Sequence, residues 1–149
     1  MKKFRFSLDT VLSYKKNILD TLQVEHGQIL AEMRRQTEWI EQLRREYAEF
    51  SAEFCTRSAE GLSIRDAQAY QLELRARERD IEKEEKRLEA LRRQEETKRA
   101  EIVEVKTDTS AIEKLREKKL AAYNAANAKA EELSVEEFVS SRMSVQSGE

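Results

Sequence analysis

Beginning at Leu8, side chains of one character recur at alternating steps of four and three residues as far as Phe54. They are Leu8, Leu12, Leu19, Leu22, Ile29, Met33, Ile40, Leu43, Tyr47, Phe50 and Phe54, and only Lys15, His26 and Gln36 interrupt them. An average step of 3.5 residues falls short of the 3.6 of a straight helix. A stripe this long stays on one face only if helices wind left-handedly round each other. The stripe therefore predicts a long helix committed to a helical partner, and glutamate and arginine at the flanking positions are what the solvated edges of such a seam require.

The partner is in the same chain. Ser58-Ala59-Glu60-Gly61 offers a stop, because glycine takes the left-handed conformation that ends helices. Ser63, followed three residues later by Asp66, offers a restart. So short a gap predicts an antiparallel hairpin. The predicted architecture is all-α: a long antiparallel two-helix coiled-coil hairpin forming a single domain, 1–149. Helix one is expected over about 7–58, capped by Ser7 with Phe6 and Val11 at staple spacing, the turn over about 59–63 and helix two over about 64–140. A frayed tail is expected at 144–149.

The seam of helix two is poorer. It reads Ala67, Tyr70, Leu74, Ile81, Leu88, Leu91, Ile102, Val105 and Ile112, then Leu115 or Tyr123 after a phase shift, with polar breaks at Arg77, Glu84, Glu95 and Lys98. The run Ile102 to Thr109 is rich in β-branched residues, and Ser110 with Glu113 repeats the capping spacing, so a bend is expected there. An antiparallel partner for Leu8 falls near Leu115. Everything from Leu120 onward is then expected to outrun helix one, an alanine-rich overhang open to another protein.

Composition narrows the function classes. Of 149 residues, 39% are charged, none is proline and three are glycine, which suits long helices rather than a globular core. The 28 basic and 30 acidic side chains are interleaved, so no broad basic face for nucleic acid is expected. One cysteine, Cys55, excludes an internal disulfide and fits a reducing compartment. No apolar run approaches the roughly 20 residues that span a bilayer, and the start lacks the apolar stretch of a signal peptide. The expectation is a cytoplasmic chain with no membrane insertion. No catalytic residue, cofactor site or metal site is predicted: there is one histidine, one cysteine and no glycine-rich phosphate loop. His26 reads as a partly buried polar break and Cys55 as a small packing residue, while Trp39, one step off the seam, reads as a packing residue ahead of a partner-contact hot spot.

The opening Phe4-x-Phe6-x-Leu8-x-x-Val11-Leu12, followed by Lys15, resembles the start of the flagellar export protein FliJ family. The late acidic segment Glu132-Leu133-Ser134-Val135-Glu136-Glu137-Phe138 resembles that family's end, with Glu136 where the family more often has Asp. The resemblance covers nearly the whole chain. It implies a non-enzymatic component of the bacterial flagellar type III export apparatus, a stalk-like coupling factor and chaperone serving motility. Its implied partners are the export ATPase ring, the cytosolic domain of the membrane export gate and export chaperones, at the inner face of the cell membrane. On that reading Phe4, Phe6, Lys118, Lys119, Tyr123 and Phe138 face the ring, and Tyr70, Leu72 and Leu74 face the gate. Two alternatives stay open from the residues alone: a general coiled-coil scaffold dimerising through its weak second seam, and the equivalent injectisome stalk.

Overall fold

The computed structural model describes residues 2–148. Two helices account for nearly all of them, α1 (Asp9–Glu60, 52 residues) and α2 (Ile64–Gln146, 83 residues), and among the described residues there is no strand. The fold is the all-α hairpin that the stripe predicts. Its turn is made as the local chemistry dictates. Gly61 has φ of 102°, and its N–H donates to the Ser58 carbonyl at 3.3 Å. The Asp66 N–H donates to Ser63 Oγ at 3.1 Å, capping α2.

The chain divides into two compact units, Asp20–Val103 and the pair of segments Met1–Leu19 with Glu104–Glu149. In the first, every stripe residue from Leu22 to Phe54 is buried or half-buried, and Ile40 is 4% exposed. On α2 the facing members are Ala67, Tyr70, Leu74, Arg77, Ile81, Glu84, Leu88, Leu91, Glu95, Lys98 and Ile102, again in steps of three and four. The polar breaks on the two helices answer one another. Gln36 Nε2 donates to the Glu84 carbonyl at 3.0 Å and to its carboxylate at 2.6 Å. His26 Nε2 lies 3.0 Å from Glu95, and Lys98 Nζ donates to Glu25 at 2.7 Å. Arg77 sits over the Phe50 ring, 4.6 Å from its centroid.

In the second unit the two helices are again joined by cross-pairs. Leu12 is buried, and Lys15 pairs with Asp108 at 3.2 Å, Lys16 with Glu113 at 3.0 Å and Asp9 with Arg116 at 3.2 Å. The α2 seam here runs Val105, Thr109, Ile112, Arg116, Leu120 and Tyr123. Thr109 is 6% exposed and satisfies its hydroxyl on the Val105 carbonyl at 2.7 Å. The phase shift falls between Arg116 and Leu120, where one step of four replaces a step of three. Leu115, offered by the sequence as a seam member, is consequently turned out and more than a third exposed.

Several expectations are corrected. Helix one begins at Asp9, its first turn preceded by the Asp9 N–H to Phe6 carbonyl bond at 3.2 Å. Phe6 is 5% exposed while Val11 is 39% exposed, so the burial a staple would share falls on Phe6. α2 passes through Ser110 without interruption, because packing against α1 outweighs the weak helix propensity of its β-branched run. It also continues through the expected start of the tail at Ser144, as far as Gln146; Glu149 lies outside the described residues. Trp39 is 48% exposed, since one step off a two-helix seam already faces water, and Cys55 is exposed for the same reason.

Candidate interaction surfaces

The interaction residues expected from the sequence fall into two sets. At the open end, the extended segment Lys2–Phe6 lies along α2. The Tyr123 hydroxyl donates to the Lys2 carbonyl, and the Phe4 and Tyr123 rings meet at 5.5 Å between centroids. Arg116 adds its guanidinium over Phe4, 5.6 Å from the ring centroid. Electrostatic attraction between a cation and an aromatic face holds such an arrangement. Tyr123, expected to be unpaired, is therefore half-buried under this segment, Leu120 is half-buried as well, and the overhang begins later. From Ala128 to Gly148 every residue is exposed.

A shallow groove of about 810 Å³ opens here, lined by Lys2, Lys3, Phe4, Arg5, Lys119, Ala122 and Tyr123. It has an aromatic floor and a cationic rim. Lys118 and Lys119 are exposed, whereas Phe6 is core and gives this end its shape rather than a contact surface. Farther along α2, Phe138 is 63% exposed with Arg142 over its ring at 5.5 Å, and Val135 and Val139 are exposed beside it. Sequence reasoning singled out Phe138 but did not use Leu133, which is exposed on a different face of α2. Its spacing from Tyr123 was the available signal.

At the turn end, Tyr70 stacks on Phe54 at 5.3 Å and leans on Phe50 at 5.2 Å, and its hydroxyl donates to Glu53 at 3.4 Å. That ring is occupied within the hairpin. Leu74 is half-buried in the seam, and Leu72 stands exposed. Of the three residues expected to face a partner here, only Leu72 is free to do so.

Electrostatics within the seam are mild. Hydrogen bonding to Glu25 raises the Lys98 ammonium above its ordinary pKa, and a hydrogen bond to Glu78 raises the Tyr47 phenol likewise. Among the described residues no group of three or more His, Cys, Asp or Glu side chains is placed to hold a metal. Among the same described residues, no helix is long and apolar enough to cross a membrane.

The fold defines the class: an antiparallel coiled-coil hairpin whose second helix runs past the first, with apolar and basic groups at its open end. A family model described as the flagellar FliJ protein matches residues 4–148, and the chain belongs to that family. It is thereby a component of the flagellar export apparatus. Neither the curated proteins nor the solved structures contain a match.

Proposed function

We propose that the chain is a stalk-like coupling factor and chaperone of flagellar export, one that engages the export ATPase ring with its open end and the cytosolic domain of the export gate with its turn end. The observation that carries this reading is the family match over residues 4–148. The geometry is compatible with it. The open end offers the exposed cations Lys118 and Lys119, the Phe4–Tyr123 pair and, beyond, Phe138, all in one unit. The turn end offers Leu72, held on a scaffold stiffened by Tyr70, Phe50 and Phe54. Phe6 and Tyr70 support these surfaces from inside; Leu74 does the same from the seam.

A stalk of this kind carries no chemistry. It would act by offering different side chains to neighbouring ring subunits, so that they adopt different states, and ATP hydrolysis would belong to the ring. Its place is at the inner face of the membrane, as a peripheral component. The test is ATP turnover and ring assembly by the export ATPase, titrated with this chain. Stimulation that falls on Lys118→Glu/Lys119→Glu substitution and weakens with salt supports the reading, because exposed ion pairs are screened. Turnover and assembly that stay unchanged at every concentration refute it.

A further inference from the structure

The overhang of α2 carries a stripe that, beyond Tyr123, no other described residue covers. Lys119, Tyr123, Ala126, Ala130, Leu133 and Glu137 follow in steps of four, three, four, three and four, on one face of the helix. From Ala126 on, all are exposed, with Leu133 at 51%. This face is distinct from the one that carries Val135, Phe138 and Val139. Its order of chemistry is self-complementary: cation, aromatic and alanine, then alanine, aliphatic and carboxylate.

We propose that this face docks on the same face of a second copy of the chain, antiparallel, about a two-fold axis at Ala128. In that register Lys119 of each copy meets Glu137 of the other, Tyr123 meets Leu133, and Ala126 meets Ala130. Each contact occurs twice, as an isologous interface requires. Charge complementarity selects this occupant. The groove beside Tyr123 has a floor of Phe4, Ala122 and Tyr123 and a cationic rim of Lys2, Lys3 and Lys119. What antiparallel pairing brings to it is Leu133, with Glu136 and Glu137 one turn on. Leucine fills the apolar floor and the carboxylates reach the rim. The same register opposes no like charges along the stripe, and the alanine pairs at the centre let the two backbones approach closely. The overlap of Lys119 to Glu137 is roughly 27 Å of helix, which places the contact in the small, transient class that buries under about 1,200 Å².

The inference does not depend on the export partners, and its test uses this chain alone. Sedimentation velocity from micromolar to about 1 mM should show a reversible monomer–dimer equilibrium that weakens in high salt. Lys119→Glu places two glutamates at both outer rungs, and Glu137→Lys places two lysines there. Each should weaken dimerisation roughly tenfold while leaving the circular dichroism unchanged, since two exposed ion pairs become repulsive. An equimolar mixture of the two variants should associate again, because the heterodimer restores opposite charges at both rungs. The chain carrying both substitutions should recover as well. A chain that stays monomeric throughout overturns the proposal. So does a dimer indifferent to these reversals, or one lost on Phe138→Ala and Val139→Ala instead.

Discussion

Ile40 and Trp39 are neighbours in sequence, and the larger should matter less. Ile40 is 4% exposed and lines a shallow groove together with Thr37, Arg44, Leu88 and Arg92, while Trp39 is 48% exposed. Ile40→Ala deletes three buried carbons, about 2.4 kcal/mol at roughly 0.8 kcal/mol per methylene. A cavity term adds to this in a closed core, and isoleucine-to-alanine changes span about 2–5 kcal/mol. No large side chain among the described residues is wholly buried, and the long arms of Arg44 and Arg92 can lean into the gap. The cavity term is therefore small, and the expected loss is about 2–3 kcal/mol, toward the lower end. Trp39→Ala removes more atoms, but only about half of that side chain is out of water, and the expected loss is about 1–2 kcal/mol, below that for Ile40→Ala. Urea denaturation followed by helical circular dichroism measures both, with the slope checked for constancy. Equal losses, or a larger one for Trp39→Ala, would refute the assignment of the seam.

Gly61→Ala should cost about 1 kcal/mol from backbone strain alone, since φ is 102° and nothing crowds an added methyl; a null effect in the same denaturation assay would mean the turn can relax. Deleting Ala128–Glu149 should leave the thermal midpoint within about 2 °C, whereas deletion from Tyr123 onward also removes the Phe4 contact and the bond to Lys2 and should lower it measurably. Stability should hold level up to the ordinary ranges of tyrosine and lysine and decline above about pH 10. Both Tyr47 and Lys98 have raised pKa values in the fold, so the folded chain retains protons there that the unfolded chain loses as pH rises. Tyr47→Phe should flatten part of that decline, and an unchanged slope in denaturation across pH 8–11.5 would remove Tyr47 from the account.

The hairpin was legible because one periodicity, Leu8 to Phe54, admits a single packing solution, and because Gly61 and Ser63 have few other uses at that spacing. The polar members of the second seam were harder to read. Arg116 and Thr109 have no apolar signature; the first earns its place through Asp9 and Phe4, the second through its own backbone. The start of the overhang was misplaced because Lys2–Phe6 is not helical, and a helix-length argument cannot see an extended segment lying along α2. Trp39 was misread for a simpler reason: two helices bury only a narrow strip, so one residue of offset decides between core and water. At the interaction surfaces, residue type picked out Phe4, Tyr123 and Phe138, but type alone could not tell that Phe6 and Tyr70 are already committed inside the hairpin.

The three residues that mar the first stripe have a consequence for alignment. Lys15, His26 and Gln36 meet Asp108, Glu95 and Glu84. Slide α2 by seven residues in one direction and the stripe still matches, yet the three would face Leu115, Ile102 and Leu91. A heptad repeat by itself cannot count its own turns, and a frayed pair of helices could zip up one notch out of place. At His26 and Gln36, whose pairs are part-buried, a misplaced notch would set a hydrogen-bonding group against a hydrocarbon, which costs more than the correct pair gains. The blemishes in the pattern are its page numbers.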